Sequence, residues 1–130
     1  MASIFTKIIN GEIPCYKVAE NDKYIAFLDI SPLTKGHTLV IPKKETDYIF
    51  DLDTETYLGL MSFSKEVAAA IKKAIPCNRI SISVIGLEVP HAHVHLIPIN
   101  SMSDCNFANQ KLKLNKDEFE TIAKKISEQL

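Results

Sequence analysis

Residues 91–95 read His-Ala-His-Val-His and hold three of the four histidines in this 130-residue chain. In an extended strand successive side chains point to opposite faces, so His91, His93 and His95 share one side. Ala92, Val94 and Leu96 fall on the other, where a core accepts them. A row of buried imidazoles is costly unless each ring nitrogen finds a partner. At neutral pH the imidazole is also the side chain best suited to proton transfer, nucleophilic attack and metal ligation. Two kinds of chemistry fit the row. A middle histidine, oriented by its neighbours, can serve as a nucleophile. Alternate histidines can instead chelate a transition metal such as zinc. A third reading, a histidine-rich surface strand, is opposed by Val94, Leu96, Ile97 and Ile99, which mark the segment as partly buried.

Such a row needs a sheet to hold it, and the flanking sequence supplies strands. Residues 16–20 and 24–29 alternate in strand fashion around an Asn21-Asp22 turn. Residues 38–41 form a third candidate, opened by Gly36 and closed by Pro42. Residues 79–85 alternate again, residues 86–90 turn the chain, and residues 91–99 form the histidine strand. Between the two groups of strands, Tyr57, Met61, Val67, Ile71 and Ala74 recur at helical spacing. The pattern predicts a helix over Thr54–Ala74, capped by Asp53 or Thr54 and ended by Pro76. Residues 4–9 are a short apolar segment followed by a turn, and residues 100–114 are a polar, irregular loop. Asn115 and Glu118 resemble a capping box that starts a short amphipathic terminal helix through Phe119, Ile122, Ala123, Ile126 and Leu130. Grouped strands with one long helix between them imply an α+β fold with a mainly antiparallel sheet.

The totals narrow the function further. A length of 130 residues suits one domain with a real core, here residues 1–130. Apolar residues make up 46% and charged residues 24%, with a formal net charge of −1. That balance argues against binding nucleic acid through bulk electrostatics. Cys15, Cys77 and Cys105 lie far apart and in odd number, which fits a reducing cytoplasm better than a disulfide framework. No secretory signal is apparent at the start, and no apolar run reaches the length of a membrane span.

His-Ala-His-Val-His-Leu-Ile at residues 91–97 resembles the signature of the histidine triad (HIT) family. Two further blocks agree in order: residues 7–14, and Ala26-Phe27-Leu28-Asp29-Ile30-Ser31-Pro32 followed by residues 36–43. The resemblance covers about residues 3–99 and leaves residues 100–130 as a carboxy-terminal extension. It implies a HIT-like fold with a five-stranded, mainly antiparallel sheet, one long helix and a short terminal helix. It also implies a homodimer and hydrolysis or transfer at the α-phosphate of purine nucleotide derivatives, such as phosphoramidates and dinucleoside polyphosphates. By that resemblance His93 is the nucleophile, His95 contacts the phosphate, His91 orients the row and His37 supports the site. Asp29 is then the ribose contact; read from the residues alone, it is a loop carboxylate capping a turn. Ile30, Ser83 and Glu88 complete the expected nucleotide-binding set with Asp29, His93 and His95. No cofactor is required by that scheme.

The chain departs from the family pattern at two places. Where many relatives carry zinc ligands beside the first triad histidine, this chain has Ser3, Thr6 and Glu45. Hydroxyls are poor zinc ligands, so no structural metal is expected. Where relatives carry Gly-Gln-Ser/Thr-Val before the triad, it has Gly86-Leu87-Glu88-Val89-Pro90. Leu87 cannot donate a hydrogen bond, and an ionised Glu88 would repel phosphate. The usual asparagine of the preceding strand is absent, and Ser81 or Ser83 stands near its place. Three outcomes therefore stand beside one another: a hydrolase, a nucleotide-binding regulatory protein with weak catalysis, and a metal protein using the histidine row.

Overall fold

The computed structural model describes residues 2–130. Its elements run α1 (Ile4–Ile9), β1 (Lys17–Glu20), β2 (Tyr24–Leu28), β3 (Thr38–Pro42), α2 (Thr54–Ala74), β4 (Arg79–Ser83), β5 (Val94–Ile99) and α3 (Lys116–Ser127). Single 3-10 turns occur at Ile49–Asp51 and Met102–Cys105. The strands form one antiparallel sheet in the order β1-β2-β3-β5-β4.

Side-chain alternation divides this sheet into two apolar layers. On one face Tyr24, Ala26 and Leu28 of β2, Val40 of β3, and Val94 and Leu96 of β5 meet the long helix and α3. From α2 come Leu60, Phe63, Val67, Ala70 and Ile71, and from α3 come Phe119, Ile122, Ala123 and Ile126. Leu60, Val67 and Ile71 are fully enclosed, each stabilising the fold by about 2 kcal/mol relative to exposure. On the other face Ile25 and Phe27 of β2 join Leu39 and Ile41 of β3 beneath Phe5 of α1. Both central strands are therefore buried along their whole length, which explains their nearly unbroken apolar runs.

The helix ends follow the expected chemistry. Asp53 accepts from the Thr56 N–H at the start of α2, and Asn115 and Glu118 cap α3 reciprocally. Residues 4–9, whose type the sequence left open, form a short helix capped by Ser3.

Every strand differs from the expectation at one boundary, β1 starting at Lys17 rather than residue 16 and β3 running on to Pro42. The last strand starts at Val94 rather than residue 91, so only His95 of the triad belongs to it. The backbone N–H of His91 turns back to the Val89 carbonyl at 2.8 Å, and that of Ala92 reaches the Thr46 carbonyl at 2.7 Å. These bonds lead residues 91–93 into the sheet from outside its ladder. The strand β4 stops at Ser83, before Val84 and Ile85, and β2 stops at Leu28, before Asp29. The alternation of face nevertheless survives, because Ala92 still enters the helix-side core while the histidines lie on the opposite side.

Candidate active site

Strand register places the site. Phe27 of β2 stands opposite Leu39 of β3, Leu39 opposite His95 of β5, and His95 opposite Ser83 of β4. Directly opposed residues share a face, so His95 projects into the layer that α1 covers. Phe5 of α1 lies edge-on to His93, with 5.0 Å between ring centroids, and to His91 at 5.9 Å. The rings of His93 and His95 are 4.9 Å apart. Next to this row is a cavity of about 470 Å³, whose walls include Asp29, His37, His93 and His95. That volume suits a small organic ligand.

The hydrogen-bond partners assign a proton to each ring. A carbonyl oxygen only accepts, so His93 Nδ1 carries a proton and donates it to the His91 carbonyl at 2.7 Å. The lone pair of a neutral His93 is then on Nε2, which has no protein partner among the described residues. His37 Nδ1 accepts from the Leu33 N–H at 3.0 Å, so its proton sits on Nε2. That nitrogen lies 3.0 Å from His95 Nδ1 and donates to it. His95 in turn carries its proton on Nε2. The result is a nitrogen lone pair and an N–H donor on neighbouring rings at one cavity wall.

Burial keeps two of these rings uncharged. Desolvation pushes the pKa of His37 down to about 3, helped by the nearby His95 and Lys111. It pushes His95 down to about 4, with a smaller contribution from His93. Both therefore act as neutral hydrogen-bonding groups near pH 7. Gly36 sets the approach of His37 to the site. Its φ of +93° is disfavoured for residues with a side chain, and a Cβ there would press on Ile75.

His91 has no free nitrogen. Its Nε2 donates to the Pro42 carbonyl at 2.7 Å, and its Nδ1 accepts from the Ser3 hydroxyl at 3.1 Å. Glu45 Oε1 accepts from the Ser3 backbone N–H at 2.7 Å and from the Thr6 hydroxyl at 2.6 Å. Ser3, Thr6 and Glu45 thus form a hydrogen-bonded clamp that ties α1 to the loop after β3 and holds the first histidine. The Thr6 hydroxyl above all, then the Ser3 backbone and side chain, lowers the Glu45 pKa to about 2.

The remaining expected residues fall into place unevenly. Asp29 Oδ1 accepts from the Ser31 N–H at 2.8 Å, so the turn-capping role is present. Its other oxygen lies 3.6 Å from His37 Nε2, beyond hydrogen-bond range, and Asp29 lines the cavity. Burial chiefly pushes its pKa up. Ile30, Leu87 and Glu88 also line the cavity. Ser83 shares the face of His95 but lines an adjoining hollow with Ile82 and Val84. Ser81 is further along β4, opposite Ile97, and its hydroxyl is buried without a hydrogen-bond partner among the described residues. Phe5, Phe107 and Lys111 are wall residues that sequence reasoning missed. Phe107 is the lone aromatic residue in the polar stretch 100–114, and that was the one available signal.

Asp29, His37 and His95 also bring three potential ligand atoms within 4.8 Å of one another. Their hydrogen bonding favours a proton chain over a cation. With Nδ1 of His37 accepting from Leu33, the lone pair that a metal needs on Nε2 is replaced by a proton.

The fold and site define a class: an α+β domain that presents an oriented histidine lone pair to a small-molecule cavity. A family model described as the HIT domain matches residues 10–102, and the chain belongs to this histidine triad family. An uncharacterised HIT-like protein of Borreliella burgdorferi is 37% identical over 132 residues, covering 95% of both chains. An adenosine 5'-monophosphoramidase of Schizosaccharomyces pombe is 40% identical over 102 residues, covering 75% of this chain and 74% of that one. The crystal structure of a HIT-like protein from Bartonella henselae, described as involved in cell-cycle regulation and holding an unknown ligand, superposes with a TM-score of 0.86. It is 36% identical, and the match covers 98% of this chain and 96% of that one.

Proposed function

We propose that this chain is a nucleotide hydrolase acting at the α-phosphate of purine nucleotide derivatives, either nucleoside phosphoramidates or dinucleoside polyphosphates. The observation that carries this reading is the proton order of the rings: His93 Nδ1–H is fixed on the His91 carbonyl, leaving Nε2 free at the cavity. In the first step His93 Nε2 forms a bond to phosphorus while the bond to the leaving amine or phosphate breaks. The leaving group takes up the proton it needs from water, and the Nε2–H of the neutral His95 stays in place as a hydrogen-bond donor. In the second step water attacks phosphorus, the P–N bond to His93 breaks, and a nucleoside monophosphate and a proton are released. The covalent nucleotidyl-histidine divides one difficult displacement into two easier ones. Between them the neighbouring N–H of His95 offers a hydrogen bond to the phosphoryl oxygens, whose charge must be stabilised throughout. Asp29 would accept from the ribose hydroxyls through the oxygen that Ser31 does not occupy.

The phosphoramidase named among the relatives supports the phosphoramidate branch. A different observation favours a nucleotide-binding protein with weak turnover: Glu88, a carboxylate, and Leu87, 89% exposed and unable to donate, stand in the cavity wall. A panel of adenosine and guanosine phosphoramidates and dinucleoside polyphosphates decides between them. Multiple turnover of at least one member is expected, with AMP or GMP as product. Nucleotide binding without turnover of any member would leave only the binding role.

The same reading takes the protein as a cytoplasmic homodimer, with the edge strand β4 and the adjacent face of α2 at its interface. Ile82 of β4, 52% exposed, lines a hollow of about 510 Å³ together with Tyr48, Phe50 and Tyr57. Apolar surface of this kind is characteristic of protein contacts. No helix among the described residues is long and apolar enough to cross a membrane. Sedimentation at micromolar concentration is expected to return twice the monomer mass; a monomer at that concentration refutes the dimer.

A further inference from the structure

The walls of the site contain an electrostatic imbalance that His37 and His95 do not correct. Asp29 and Glu88 line the cavity, and His37 and His95 are uncharged near neutral pH. A nucleotide carries its negative charge into this space. Lys111 is the single lysine or arginine among the described wall residues. It lies in the carboxy-terminal extension, outside the blocks that resemble the family.

Its position is held by its own loop. The ammonium donates to the Phe107 carbonyl at 2.6 Å and to the Asn109 carbonyl at 2.9 Å. An ammonium has three N–H donors, so one remains. No carboxylate lies within ion-pair distance of it among the described residues. The loop is pinned in turn, by the Leu112 N–H on the Pro32 carbonyl at 2.9 Å and by the Asn109 side chain on the Ser103 carbonyl at 2.6 Å. Phe107 adds contact with the catalytic rings. It lies edge-on to His95, with 4.9 Å between centroids, and to His37 at 6.3 Å. One loop therefore presents a partly buried cation with one free donor beside the two histidines that organise the phosphate end.

We infer that Lys111 is a binding residue for the anionic phosphoryl group of the substrate, supplying from the carboxy-terminal loop the charge that Leu87 and Glu88 do not. This rests on the nucleotide reading above and deepens it by naming the residue that selects a charged over an uncharged nucleoside. The two carbonyls fix the ammonium in advance, so little side-chain entropy is lost when the phosphate arrives. Charge-assisted hydrogen bonds to phosphate are among the stronger single contacts.

The test compares AMP with adenosine by calorimetric titration of the wild-type protein, Lys111→Met and Lys111→Arg. Lys111→Met keeps most of the apolar stem and removes the charge; Lys111→Arg keeps the charge. The expected result is a rise of about ten- to a hundredfold in the AMP Kd for Lys111→Met. Adenosine binding should be unchanged, and Lys111→Arg should recover most of the loss. Raising salt should weaken AMP binding less steeply in Lys111→Met than in the wild type. An unchanged AMP Kd in Lys111→Met overturns the inference. So does an equal loss for AMP and adenosine, because the residue would then shape the pocket without reading charge. A wild-type protein that binds neither ligand refutes the nucleotide reading itself, an outcome distinct from both.

Discussion

Replacing His93 by alanine is expected to lower kcat/KM for the best phosphoramidate or polyphosphate substrate by at least about a thousandfold. The size of the effect follows from what the ring does. No second nitrogen can take its place: His91 has both nitrogens engaged, by Ser3 and Pro42, and His95 carries its proton on the nitrogen that is not bonded to His37. Loss of the ring removes the covalent route and leaves only positioning and hydrogen bonding. AMP affinity should change by no more than a few fold, because the ribose and phosphate contacts proposed for Asp29, His95 and Lys111 remain. The fold should also persist, since the ring packs mainly on Phe5 and not in the larger core between sheet and helices. Steady-state kinetics, AMP titration and thermal melting together read the three quantities. Mass spectrometry of acid- and base-quenched wild-type reactions should show a nucleotidyl adduct stable in base that the variant lacks. Undiminished turnover in the variant would eliminate His93 as the nucleophile.

That expectation was open to sequence reading because the triad is local. Three histidines two residues apart declare a shared face before any partner is known. The helix over Thr54–Ala74 and the capping box at Asn115 were equally readable, because helical periodicity and caps are also local signals. The start of the last strand was not. His91 and Ala92 are drawn out of the ladder by backbone bonds to Val89 and Thr46, which no alternation pattern encodes. The proton order was unreadable for the same reason. It depends on the Leu33 N–H meeting His37, on His37 meeting His95 across 58 positions, and on Pro42 meeting His91 across 49. Lys111 and Phe107 illustrate a further limit. They enter the site from a polar loop without periodicity, and long-range contacts alone reveal their part in it.

Ser3, Thr6 and Glu45 show how a departure from a family pattern can be read only halfway from sequence. Their side chains exclude a thiolate metal site, and that much is chemistry of residue type. Their mutual hydrogen bonds show what replaces it. The carboxylate, two hydroxyls and a backbone N–H hold His91 through directional contacts, and the His91 carbonyl then holds the proton of His93. Orientation of the His93 ring thus passes through the first histidine.

Acidification should destabilise the folded protein well above the range where carboxylates titrate. The histidine pKa is about 6.5 in the unfolded chain and falls to about 4 for His95 and about 3 for His37 in the folded one, through burial first. Between these limits the unfolded state binds more protons, so stability is full above pH 6.5 and falls as pH drops toward the folded values. His91 is lowered by burial too and acts with the same sign. Because His37 and His95 share one hydrogen bond, their contributions overlap; together they amount to on the order of 5 kcal/mol. That is a large share of the 5–15 kcal/mol, roughly, that stabilises a typical domain. Asp29 works in the opposite direction, since burial raises its pKa and the folded state holds its proton more tightly. Glu45 belongs to a lower window, with its contribution lost only as pH falls from the ordinary carboxylate value toward about 2. Urea unfolding at intervals from pH 7.5 to 4.5 should therefore show a steep loss of stability beginning near pH 6.5. His37→Gln and His95→Gln should each flatten that slope, whatever their stability at pH 7.5, because each removes a group that the unfolded chain protonates first. Slopes equal to that of the wild type in both variants would show that the buried pair does not govern the acid response.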